Sequence, residues 1–73
     1  MFIIKSCTGG YLVAGPRKNK KEGCCFTADR LDYSVRRFKT KTDANDYLAE
    51  IRTLQSKWGW PSYKRVKAFA CPQ

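Results

Sequence analysis

The chain has 73 residues, with fifteen Lys and Arg against six Asp and Glu, a net charge of +9 and no histidine. A chain of that length forms one domain, residues 1–73. It buries roughly 60% of the surface its unfolded form exposes, close to the lower limit for a self-sustaining core. Without histidine the usual general base near neutral pH is missing, which weighs against an acid–base enzyme.

The opening run FIIK, residues 2–5, is apolar and β-prone, and YLVAG, residues 11–15, follows across the loop SCTGG. Two short β-prone runs around a Gly-containing loop predict a hairpin, with Gly9 and Gly10 supplying positive φ. Pro16 closes the second strand, and RKNKKEG, residues 17–23, is too charged for a core and reads as an exposed loop. CCFTA, residues 24–28, suits a strand or a bend. DRLDY, residues 29–33, suits a turn holding one or two buried side chains. SVRRF, residues 34–38, alternates as a third strand, with Phe38 the expected core residue and Arg36 on its side.

The helix signal is the strongest in the chain. Thr40 precedes Asp43 by three positions, as in a capping box with Asp in place of Glu. Ala44, Tyr47, Leu48, Ile51 and Leu54 recur at spacings of three and four, forming an apolar stripe that Trp58 extends. Gly59 and then Pro61 predict the stop, with Trp60 folding back onto Leu54. SYKRVKAFA, residues 62–70, is expected as a final strand with Val66, Ala68 and Ala70 under the helix and Tyr63, Arg65, Lys67 and Phe69 half solvated. The expected fold is α+β: a small antiparallel sheet of about four strands with one helix packed on it, in the order β-β-β-α-β.

Cys7, Cys24, Cys25 and Cys71 show no C-x-x-C spacing, and there is no histidine to complete a metal site. The chain starts at Met1 with no apolar run suited to a secretory signal or membrane span, so it reads as a cytosolic product with reduced, mostly packed thiols. Lys20 and Lys21 beside Cys24 and Cys25 would favour a thiolate, yet no base or oxyanion hole accompanies them. Asp43, Asp46 and Glu50 share one helix flank and read as a solvated face, since acids on one helix do not surround a cation. No catalytic residue, cofactor or metal is expected.

Positive charge gathers in three clusters: Arg17, Lys18, Lys20 and Lys21; Arg36, Arg37, Lys39 and Lys41; and Lys64, Arg65 and Lys67. With Tyr33, Phe38, Tyr63 and Phe69 beside them, a sheet face of aromatics and bases is suited to stacking unpaired nucleotides. No helix-turn-helix, RNP, GXXG or zinc-finger motif is present, and the bland alternative is aromatics in the core with bases kept for solubility.

Taken whole, the sequence, and in particular FIIK…GGYL and RRFKTKTDANDYL, resembles small bacteriophage-encoded transcription regulators that bind host bacterial RNA polymerase. The resemblance implies a non-enzymatic protein of the host cytoplasm that docks on the amino-terminal region of the β′ subunit. It implies inhibition of initiation by interference with sigma factor, and antitermination. A monomer with no membrane association is expected, with nucleic acid as a secondary partner. The alternative is a basic single-domain DNA- or RNA-binding protein. The partner-binding residues are assigned from the loop and pre-helix bases alone: Arg17, Lys18, Lys20, Lys21, Arg36 and Arg37.

Overall fold

A computed structural model of the chain describes residues 1–16 and 23–73. The elements are β1 (Phe2–Ser6), β2 (Tyr11–Ala14), β3 (Cys25–Thr27), α1 (Lys41–Lys57), a short 3-10 turn (Ser62–Lys64) and β4 (Ala68–Pro72). The four strands form one antiparallel sheet in the order β3-β2-β1-β4, so the first and last strands pair at its centre and edge. The α+β class and the β-β-β-α-β order expected from the sequence both hold.

Three boundaries differ from expectation. The third strand is Cys25–Thr27, and residues 34–38 contribute a single bridge, Phe38 to Phe2. The reason lies in the hairpin, which pairs at Lys5 and Tyr11. Residues 36–38 take up main-chain groups near its other end: the Arg36 N–H donates to the Leu12 carbonyl at 2.9 Å, and Phe38 and Phe2 exchange two bonds of 2.8 Å. A segment wedged between strands has few partners for a ladder of its own.

The second difference is in the turn before it. Leu31 and Tyr33 are 78% and 93% exposed, and Val35, not a residue of 29–33, is the buried one. Third, the last strand begins at Ala68, because Pro61 leads into the 3-10 turn over Ser62–Lys64. The alternation expected there survives: Ala68 is buried, Val66 and Ala70 pack on the core, and Phe69 faces solvent. In the hairpin loop only Gly9 has positive φ, at 108°. Gly10 is small for another reason, since a Cβ there would lie 2.9 Å from the Phe26 Cβ.

The core forms where α1 lies across the sheet. Ile4, Leu12 and Ala68 meet Ala44, Leu48 and Ile51, with Phe2, Phe38, Tyr47 and Val66 packed around them. The Thr40 hydroxyl accepts the Asp43 N–H at 3.1 Å and fixes the start of the helix. At the other end the Gly59 N–H reaches the Ser56 carbonyl and the Trp60 N–H the Gln55 carbonyl, a Schellman ending with Gly59 at φ 77°. Trp60 meets Trp58, with ring centroids 5.9 Å apart. Gly15 lets β2 approach the helix closely: its N–H donates to the Tyr47 hydroxyl at 3.2 Å, and a Cβ would come within 2.7 Å of that oxygen.

Among the described residues one polar side chain sits in this interior. Gln55 is 1% exposed, and its Oε1 accepts the Val66 N–H at 2.8 Å, tying the last turn of the helix to the approach of β4. A buried donor left without an acceptor costs about 1–3 kcal/mol. Gln55→Met, which keeps the volume and removes the acceptor, should cost that much, against roughly 2–5 kcal/mol for Ile51→Ala. Thermal melts should register each kcal/mol as a fall of roughly 4–8 °C; an unchanged melt for Gln55→Met would show the bond to be dispensable.

On the other face of the sheet, Ile3 and Val35 are buried outside the helix-side cluster. The segment after β3 is anchored at the far edge strand by the Arg30 guanidinium, which donates to the Pro72 carbonyl at 2.9 Å. Within it the Ser34 hydroxyl and N–H both donate to Asp32 Oδ1, at 2.6 and 2.8 Å. These bonds, first the hydroxyl's, hold the Asp32 carboxyl below its ordinary value of 3.8. A depressed folded-state value stabilises fully above pH 3.8 and is lost as pH falls through the lower, folded-state value. The wild-type melting temperature should therefore drop more steeply in that acid window than that of Asp32→Asn, and parallel curves would remove Asp32 from the acid response.

Candidate functional site

The first four assigned partner-binding residues, Arg17, Lys18, Lys20 and Lys21, lie outside the described residues. Arg36 and Arg37 are both exposed, but their side chains part. The Arg36 guanidinium carbon sits 4.6 Å from the Tyr47 ring centroid and 5.8 Å from that of Phe38, a cation–π contact at the start of the helix. Arg37 turns toward the preceding loop. It donates to the carbonyls of Val35 at 3.2 Å, Tyr33 at 3.4 Å and Asp32 at 3.5 Å. Arg37 thus holds a turn together, while Arg36 keeps a guanidinium at the surface.

Other arginines behave like Arg37. Arg30 holds Pro72, Arg52 donates to the Ala68 carbonyl at 3.4 Å and Arg65 Nε to the Trp60 carbonyl at 2.9 Å. A planar fork of five N–H donors suits carbonyl oxygens wherever carboxylates are scarce. The exposed lysines, among them Lys39, Lys41, Lys57, Lys64 and Lys67, carry the charge that faces solvent.

Two surfaces collect these groups. The first is a pocket of about 140 Å³ beside the end of α1. Its lining combines the apolar Phe26, Trp60 and Val66 with Cys24, the polar Gln55 and Ser6, and the cations Lys64 and Lys67. Gly23 and Cys24, also lining residues, directly follow the basic loop 17–22 in sequence. A recess that mixes aromatic rings with cations can take one large side chain of a partner and favour acidic neighbours.

The second surface is a row across the sheet on the face away from the helix. Thr27, Tyr11, Lys5 and Phe69 stand opposite one another on β3, β2, β1 and β4. Their strand neighbours Leu12, Ile4, Ala68 and Ala70 belong to the helix-side core, so alternation turns the row outward. Phe69 is 48% exposed, and Lys5 Nζ lies 5.9 Å from the Tyr11 ring centroid.

The clusters read from the sequence missed both surfaces in part. Lys64 and Lys67 were grouped with Arg65 as one strand, yet Arg65 is spent on a main-chain carbonyl. Gln55 continues the spacing of Ala44, Leu48 and Ile51, so its place on the buried stripe was readable; its polarity hid it. The row needed the β1–β4 register, which joins residues far apart in sequence.

Among the described residues no three His, Cys, Asp or Glu side chains are grouped to hold a metal ion, and no helix is long and apolar enough to cross a membrane. Comparison with family models, with curated proteins and with solved structures returned no match.

The thiols are free and less packed than expected, with Cys7 and Cys25 exposed and Cys24 and Cys71 half-buried. Burial, with a smaller contribution from Cys25, pushes the Cys24 thiol up to about 11, opposite to the activation its lysine-rich surroundings suggested. Brief alkylation at neutral pH, read by mass spectrometry, should label Cys7 and Cys25 well before Cys24. Fast labelling of Cys24 would restore it as a nucleophile candidate.

Proposed function

We propose that this chain is a non-enzymatic phage regulator that docks on host bacterial RNA polymerase, on the amino-terminal region of the β′ subunit. Docked there, it interferes with sigma factor at initiation and opposes termination. The identity of the partner comes from the resemblance of the whole sequence to such regulators. The manner of docking is supported by one structural observation, the recess that Phe26, Trp60 and Val66 share with Lys64 and Lys67.

The physical work required is small. A specific interface buries about 800 Å² on each partner, within reach of a domain this size. One large side chain seated against Phe26, Trp60 and Val66 supplies a desolvated anchor, and the lysines select an acidic border and speed encounter. Occupying the surface displaces whatever else binds there, with no bond made or broken. The protein acts as a monomer in the host cytoplasm, and a direct DNA- or RNA-binding role is the rival reading.

Immobilised protein exposed to bacterial lysate in the presence of nuclease should retain the large polymerase subunits. Purified polymerase should then bind Lys64→Glu/Lys67→Glu, and separately the charge reversal of Arg17, Lys18, Lys20 and Lys21, roughly tenfold more weakly, with melting temperatures little changed. Loss of every partner after nuclease treatment would overturn the polymerase reading in favour of nucleic acid. Unaltered affinity in both variants would move the interface elsewhere.

A further inference from the structure

We infer that the outward row on the uncovered half of the sheet is a binding site for a single strand of nucleic acid. Tyr11, Lys5 and Phe69 are contributed by β2, β1 and β4 and stand directly opposite one another. Neighbouring strands are about 4.8 Å apart, so the two aromatic residues leave backbones roughly 10 Å apart with the lysine between them. An unpaired strand has the matching alternation, base then phosphate then base. Each ring offers a face for stacking, and Lys5 stands where the linking phosphate passes.

Three further observations favour this occupant over a protein. The row lies on a sheet face outside the recess beside Trp60, whereas protein anchors favour recesses of that kind. Phe69 is 48% exposed on a strand whose adjacent residues Ala68 and Ala70 are in the core, so its ring is held outward by the register itself. The net charge of +9 draws polyanions, and the Asp29 carboxylate, just past Thr27, is engaged by the Leu31 N–H at 2.9 Å. Duplexes hide their base faces, so stacking requires an unpaired strand.

The test uses the free protein with no polymerase, so its result is independent of the docking reading. Anisotropy of labelled oligouridine should report binding tighter than to duplex RNA of the same length. Phe69→Leu keeps apolar bulk but removes the ring, and with Tyr11→Leu it should weaken single-strand binding by roughly tenfold or more while leaving duplex binding in place. Lys5→Gln should lower the log–log salt slope by about 0.7, the value for one phosphate contact on a single strand. Thermal melts of each variant establish that it is folded. Equal affinity for single strand and duplex, or unchanged binding by folded Phe69→Leu, would overturn the site and leave only diffuse attraction. Concentration-dependent dimerisation abolished by Phe69→Leu would overturn it too, by assigning the face to a second copy.

Discussion

One helix can cover only one face of a sheet, and most of this molecule follows from that constraint. Seventeen residues of α1 close one side, where Ile4, Leu12 and Ala68 find their partners. Among the described residues, the other side receives the connection after β3, pinned at Pro72 by Arg30, with Ile3 and Val35 buried there. What that connection leaves open is the row through Lys5. A larger protein would add a second layer; here the uncovered area is a surface available for use.

The basic residues divide their labour. With few carboxylates to meet them, the guanidinium groups of Arg37 and Arg65 go to main-chain carbonyls in turns, those of Arg30 and Arg52 to carbonyls of the edge strand β4, and Arg36 to an aromatic ring. Such bonds satisfy acceptors that irregular segments leave orphaned, at no cost in acidic partners. Among the described residues most ammonium groups stand outside, Lys5 being half-buried beside Tyr11. The charge stays at the surface in both cases, but the donors differ: those of Arg30, Arg37, Arg52 and Arg65 are engaged by the chain itself, while exposed lysines such as Lys39, Lys57, Lys64 and Lys67 point theirs at solvent.

Where spacing carried the information, the sequence was legible. The helix, its Thr40 cap, its Gly59 stop and the first hairpin are local patterns, and each is present. The inward set Val66, Ala68 and Ala70 was equally plain, because alternation persists even where ladder bonds do not. Residues 34–38 were misleading for a physical reason. Val35 and Phe38 are buried to different sides by a wedged segment, and that burial pattern imitates a strand. Of the candidate site, Arg36 and Arg37 are both at the surface, but that Arg37 is engaged by main-chain carbonyls was not readable, since such bonds leave no mark in composition. The row was illegible because it depends on which residue of β4 faces Lys5.

That same pairing governs how the molecule comes into being. Phe2 is matched with Pro72 and Ser6 with Ala68, so the central strand waits for the last residues of the ladder before it has neighbours on both sides. Closing so long a loop costs entropy before any contact repays it, and contacts this distant slow folding. During synthesis the hairpin and helix can form early, but the sheet stays incomplete, with β1 presenting an unpaired edge, until the ribosome has released residues 68–72. The nascent chain is thus most exposed to aggregation in the interval before residues 68–72 emerge to pair with β1.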